Sequence, residues 1–259
     1  MIFHYIKNCK RLLASFSVLL LVSACSSSDI SGGTEVHTHL THLPPASTVT
    51  TTPTGKQFVN DQGVSIVLTS AWLTLSEMEL RTDCGASPFA RLRDTVLGLI
   101  VPVANAHTES TPTKLGTPLV VNLLNPDSEE LEFGHFSPAP GNYCGITVHM
   151  HPADADARSL PSTFSMIGLV LHLEGSYDNG SGATAFTVDI TLEPEHADIA
   201  FPAIISLSEG NLNDEIHLNI EYQTWFETFD ATLFAALVAG DPSAVSRLLD
   251  NVTASIGHD

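Results

Sequence analysis

Positive charge is scarce in this chain. Ten Lys and Arg stand against 29 Asp and Glu, a formal charge of −19 over 259 residues. Such a chain is repelled by the phosphates of nucleic acid and by anionic lipid surfaces, so neither is an expected electrostatic partner, while cations are favoured. Cysteine is scarce too, four in all, with no CxxC pair, which excludes a thiolate zinc cage or a redox-active dithiol motif. The apolar run Leu12–Val22 is too short to cross a hydrocarbon core roughly 30 Å thick. There is no nucleophile elbow, phosphate loop, dinucleotide fingerprint or zinc-protease helix. A hydrolase would have to be assembled from scattered Ser, His and Asp, and the chain is read as not being an enzyme.

What is present begins at the start of the chain. Lys7, Lys10 and Arg11 precede Leu12–Val22, and Val22-Ser23-Ala24-Cys25 follows. A basic segment, a short apolar segment and small residues are the layout of a secretory signal. The tetrapeptide ending in Cys25 resembles the lipobox of bacterial lipoproteins. That resemblance implies cleavage before Cys25 and acylation of this cysteine (palmitate among the acyl chains). Ser26, in the place where Asp is a retention signal, resembles the pattern that sends lipoproteins to an outer membrane. The expected protein is thus held by lipid to the bacterial envelope, facing the periplasm or the cell surface. An ordinary secretory signal with a chance cysteine is the plainer alternative.

Loss of residues 1–24 would remove three of the ten cations and no acid. It would also remove Cys9; with Cys25 lipidated, Cys84 and Cys144 remain. In an oxidising compartment they most simply pair, a constraint of roughly 4 kcal/mol for a loop of this length. Two free thiols in a metal site is the competing reading.

Residues 25–57 are rich in Ser, Thr, Gly and Pro and are expected to be a flexible tether. Residues 58–259 are expected to form one domain. Val64–Leu68, Ala71–Leu80 and Pro118–Leu124 have strand character. In Asn142–His151, the side chains of Cys144, Ile146, Val148 and Met150 alternate with those of Tyr143, Thr147, His149 and His151. Ile167–Leu173 and Phe186–Leu192 flank the turn signal Tyr177–Gly182 and read as a hairpin, and Ile216–Tyr222 reads as a final strand. Seven or more short alternating strands predict an all-β fold, an antiparallel β-sandwich. Trp225–Leu237 changes to helical spacing, and Asp241-Pro242 has the N-cap and first-position residues of a second helix. The apolar segment Thr95–Asn105 is either a buried crossing or an exposed loop that docks a partner or the lipid surface.

Histidine carries the chemical signal. Eleven of the twelve histidines lie beyond residue 24. In His149-Met150-His151-Pro152-Ala153-Asp154-Ala155-Asp156, the two histidines project from one strand face, roughly 7 Å apart at Cβ. That spacing allows both imidazoles to close on one metal ion. Asp154 and Asp156, past the strand-ending Pro152, are candidate accessory ligands, and His107 or His135 is the candidate third histidine. The plainer reading is a pair of solvated histidines beside an acidic turn. His37-Thr38-His39-Leu40-Thr41-His42 falls in the expected tether, as a weak metal-loading segment or simply a polar linker. His172 and His217 fall on polar strand faces and are not expected ligands. For imidazole ligands outside the cytoplasm, copper is the first expectation and zinc the second; a calcium site would need more oxygen.

The strand-borne histidines, the cysteine pair and the lipoprotein start together resemble periplasmic or surface copper-binding β-sandwich proteins, of the kind that partner methanobactin systems. The resemblance implies copper sequestration or delivery and assigns no ligand. Residues 106–116, Gly141-Asn142-Tyr143-Cys144 and Pro152–Ala157 also look like a pattern of an uncharacterised bacterial lipoprotein group, which implies no activity. The alternative function is an envelope module that binds a protein partner without metal.

Overall fold

The computed structural model describes residues 33–42, 49–52, 55–82, 110–127, 129–194, 196–210 and 212–258. The lipobox with Cys25, the segment Thr95–Asn105, His107 and Cys84 lie outside the described residues. Gly33–Asp259 forms one compact unit.

The described chain is built from strands, with two short helices near its C-terminal end. In order they are β1 (Val36–His42), β2 (Thr50–Thr52), β3 (Gly55–Val59), β4 (Ser65–Leu75), β5 (Glu77–Arg81), β6 (Lys114–Leu115), β7 (Leu119–Asn122) and β8 (Leu131–Phe136). Then come β9 (Gly141–His149), β10 (Leu171–Asp178), β11 (Thr184–Ile190), β12 (Ala197–Leu207), β13 (Asp214–Ile220), α1 (Ala231–Val238), α2 (Pro242–Ala254) and β14 (Ile256–His258). The strands form three sheets, ordered β14-β13-β1-β8, β11-β10-β4-β3-β2 with β7 also on β4, and β12-β9-β5-β6. All pairings between these strands are antiparallel except β1 with β13. This is the all-β, sandwich-like architecture that the alternating runs imply.

The expected hairpin forms as β10–β11, but its first arm runs Leu171–Asp178 rather than Ile167–Leu173, and Ile167 is exposed. Leu171 and Leu173 pair with Ile190 and Val188, and these four side chains are buried. The Asp178 carboxylate accepts from the backbone N–H of Gly180 at 2.7 Å and of Gly182 at 3.0 Å, which fixes the turn. Gly175 sits where β10 shifts register against β4, and a Cβ there would lie 2.0 Å from the Val67 carbonyl oxygen. Only glycine allows the two backbones this approach.

The C-terminal helices close one end of the core. Trp225–Leu237 is not one helix: a 3-10 turn covers Tyr222–Phe226, and α1 starts anew from Asp230, whose carboxylate accepts from Leu233 N–H at 2.8 Å. Thr228, between them, has φ 67° and donates its N–H to Asp61. The Asp241 side chain caps α2 by accepting from Ser243 and Ala244 N–H, with Pro242 in the first turn. Phe234 of α1 stacks on Tyr177 at 4.6 Å and on Phe226 at 5.4 Å, which joins α1 to the hairpin end.

Two expectations are corrected. Residues 25–57 are not a tether throughout, and order does not start at Phe58. β1 lies between β13 and β8, with Val36, Thr38, Leu40 and His42 buried, and β2 and most of β3 also fall in this range. Half of the inward residues of β1 are polar, so its alternation does not register as an apolar face. His172 is not on a solvated face either. It is 6 % exposed, pairs with Asp189 at 2.6 Å and packs on Phe164 at 4.2 Å.

His42 has a measurable consequence. Its Nε2 meets the Asn125 carbonyl at 2.9 Å, while Nδ1 is buried without a hydrogen-bond partner. This is the pattern of a neutral imidazole that donates from Nε2. Burial holds its pKa below the ordinary 6.5, helped by the nearby Lys56 charge. As pH falls through about 6.5 toward the lower folded-state value, the unfolded chain takes this proton first, so stability is lost. Melting curves between pH 8 and pH 5 should show a drop that is smaller in His42→Gln. An equal drop in both proteins would refute this role.

Candidate functional site

The surface of the β12-β9-β5-β6 sheet gathers three imidazoles. In β9 the inward side chains Ile146 and Val148 are buried, as is Met150 just beyond, which turns His149 and His151 outward. Ser76 fixes this strand end: its N–H and hydroxyl both donate to the His149 carbonyl, at 2.8 and 2.9 Å, and its hydroxyl accepts from His151 N–H at 3.0 Å. The His149 and His151 rings stack with centroids 5.9 Å apart and planes 11° apart.

The third ring is His196, with its centroid 5.3 Å from that of His149. It immediately precedes β12, where Ala197 pairs with Val148 and Asp198 with Thr147. No local motif marks His196. Only the β9–β12 register brings it to His149, and β12 is apolar on both faces in much of its length, which hides its alternation.

Two carboxylates accompany the rings. Glu77 stands opposite His149 on β5, with its Oε1 3.8 Å from His149 Nε2 and 2.5 Å from Lys114 Nζ. Glu193 Oε2 is 3.2 Å from His151 Nδ1. Burial holds the His149 pKa below its ordinary value; the Glu77 charge opposes this, while His196, His151 and Lys114 reinforce it. His149 is therefore predominantly neutral at pH 7, the form that offers a nitrogen lone pair to a metal.

Two imidazoles bound through nitrogen at about 2.0 Å to one tetrahedral ion have ring centroids about 5 Å apart. The His149–His196 and His149–His151 spacings are near that value. Among the described residues, no three His, Cys, Asp or Glu side chains already stand as a finished ligand set around one point. His151 and His196 have side chains 46 % and 51 % exposed, and exposed rings reorient on the picosecond-to-nanosecond scale.

The other expected ligands are placed elsewhere. His135 lies on β8, in a different sheet, with its ring 5.8 Å from that of His37. Asp154 and Asp156 follow β9 in a turn of their own. Asp154 Oδ1 accepts from Asp156 N–H at 2.9 Å in a local turn. The segment is laced to the loop before β10 instead, through Ala153 N–H to the Leu169 carbonyl at 3.0 Å and Gly168 N–H to the Ala153 carbonyl at 2.8 Å. Cys144, on the same strand as His149, is disulfide-bonded.

No protein-family model, curated protein or solved structure matches this chain.

Proposed function

We propose that this chain is a lipid-anchored, extracytoplasmic metal-binding protein that sequesters or delivers copper, with zinc as the second candidate. The observation that carries the reading is the grouping of His149, His151 and His196 on adjoining strand ends. His149 serves as the fixed ligand, because its backbone is pinned by Ser76 and its ring is half-buried. His151 and His196 close onto the same ion, and Glu193 supplies an oxygen ligand or orients His151. Glu77, held by Lys114, steadies the His149 ring from the other side. Three nitrogens with a carboxylate nearby favour Cu(II) over Zn(II) in the usual affinity order. The acidic chain draws cations toward it. The lipidated Cys25 of the lipoprotein reading would hold this domain at the envelope membrane.

The test is metal content by plasma mass spectrometry on residues 26–259, purified without a histidine tag, loaded with Cu(II) or Zn(II) and dialysed. His149→Ala/His151→Ala should retain one equivalent less than the parent, and His196→Ala should weaken retention of that same equivalent. Identical metal content in the parent and the double variant would refute the site, and the chain would then be better read as a protein-binding envelope module.

A further inference from the structure

A second group of histidines occupies the outward face of the β14-β13-β1-β8 sheet, and it is assembled by strand pairing. Because Val36, Thr38, Leu40 and His42 of β1 point inward, His37 and His39 point outward. Each meets a histidine directly opposite on a neighbouring strand. His39 pairs with His217 across the parallel β1–β13 ladder, and His37 pairs with His135 across the antiparallel β1–β8 ladder. The His39 and His217 rings are 5.3 Å apart with planes 18° apart, and the His37 and His135 rings are 5.8 Å apart. Both separations are near the roughly 5 Å of two imidazoles that share one ion. The two pairs are linked through His37 and His39, whose rings are 6.4 Å apart.

Carboxylates flank each pair. Glu130 and Glu215 lie 3.0 and 3.2 Å from the two ring nitrogens of His217. Glu35 lies 3.4 Å from His37 and 3.9 Å from His135, and Glu132 lies 3.8 Å from His37. The two carboxylates of each half stand at opposite nitrogens of one ring, so each half offers two imidazole nitrogens and one carboxylate, a donor set suited to Cu(II), Zn(II) or Ni(II). The rings must turn for these atoms to converge, since no three such side chains among the described residues already surround one point. The negative charge of the carboxylates offsets that of a bound dication. In a histidine row serving only as solvated surface, the histidines need not face one another; in this sheet two of the three outward positions of β1 meet a histidine at their register partner, the third being Thr41 opposite Asn219.

We infer that this face is a second, separate metal-binding array that takes two divalent ions, one between His39 and His217 and one between His37 and His135. It uses no residue of the His149 site. Its ligands come from three strands, of which β1 and β13 are far apart in the chain, so ions bound to this face stabilise the folded sheet over the unfolded chain.

The experiment uses residues 26–259 carrying His149→Ala, His151→Ala and His196→Ala, so that failure of the first site cannot be mistaken for failure of this one. Titration with Cu(II) and Zn(II) against a chromophoric chelator should show two equivalents bound, with a higher melting temperature in excess metal. His39→Gln/His217→Gln should weaken one equivalent by at least about 100-fold, and His37→Gln/His135→Gln the other. Electron paramagnetic resonance of the Cu(II) form should show nitrogen coupling that diminishes in each pair variant. These side chains are on the outer face, so circular dichroism of the metal-free variants should match the background protein. Less than one equivalent bound in the background protein, or unchanged binding in both correctly folded pair variants, would overturn the array.

Discussion

Replacing Lys56 with methionine should lower the unfolding free energy by about 3–5 kcal/mol, as expected when one partner of a buried charge pair is removed. Lys56 is 1 % exposed, yet its ammonium is well partnered. Nζ donates to the carbonyls of Leu123 and Asn125 and to the Asp127 carboxylate, each at 2.6 Å, and stands 5.0 Å from the centroid of the Tyr222 ring. Burial pulls the Lys56 pKa down and the Asp127 hydrogen bond pulls it back up. Methionine keeps most of the stem's packing, so the loss isolates the charge. Two carbonyls and a carboxylate would lose their shared donor, and the loop from Leu123 to Asp127 would lose the anchor that holds it to β3. Urea unfolding of the parent, Lys56→Met and Lys56→Met/Asp127→Leu should show a large loss in the single variant and partial recovery in the double. A single-variant loss below about 1 kcal/mol, the ordinary value for an exposed pair, would contradict this account.

A loss of similar size, about 3–5 kcal/mol, is expected for Trp225→Ala. Trp225, on the 3-10 turn, is completely buried. Its indole N–H donates to the Ser255 hydroxyl at 2.7 Å, which in turn donates to the Val252 carbonyl at the end of α2. The Trp225 carbonyl accepts from Asn251 Nδ2 at 3.0 Å. Alanine would leave a cavity where the C-terminal helices meet the sheets and strip Ser255 of a donor. Trp225→Phe should cost distinctly less, because it retains most of the apolar volume and loses mainly the one hydrogen bond. Thermal unfolding followed by far-ultraviolet circular dichroism would separate the two, and equal losses would argue that the hydrogen bond, not the packing, dominates.

The parts of this fold legible in the sequence are those governed by neighbours in the chain. The β10–β11 hairpin has the alternation of β11 and the Asp178–Gly182 turn that precedes it. The start of α2 has its Asp241-Pro242 cap, and β9 shows its inward face through Ile146 and Val148, with Met150 just beyond. Each signal lies within a dozen residues, where periodicity and turn chemistry act. The missed elements lack it. β1 carries Thr38 and His42 inward, β12 runs Ala197–Leu207 with apolar residues on both faces, and β8 offers a short run interrupted by Gly134.

The same division applies to the histidines. His149 ends β9 and His151 follows two residues on, so their common side could be read directly from the spacing. His196 reaches them only through the β9–β12 register, and His39 meets His217 only through a parallel pairing across most of the domain. Neither juxtaposition has a local cause. Sequence spacing suggested Asp154 and Asp156 as accessory ligands, but the backbone bonds of Ala153 direct that segment toward the loop before β10, and the accompanying carboxylates come from β5 and from beyond β11.

The placement of β1 also fixes an order of events in the making of the protein. Its seven residues are sandwiched between β8 and β13, and only when Asp214–Ile220 exists can its second edge be paired. During vectorial delivery from the N-terminus, the first strand therefore waits with one edge open while about 170 further residues arrive. The outward row of His37, His39, His135 and His217 is complete only at the end of that wait. A chain interrupted before β13 retains His37 and His39 but lacks the partner opposite His39, so the whole row belongs only to finished molecules.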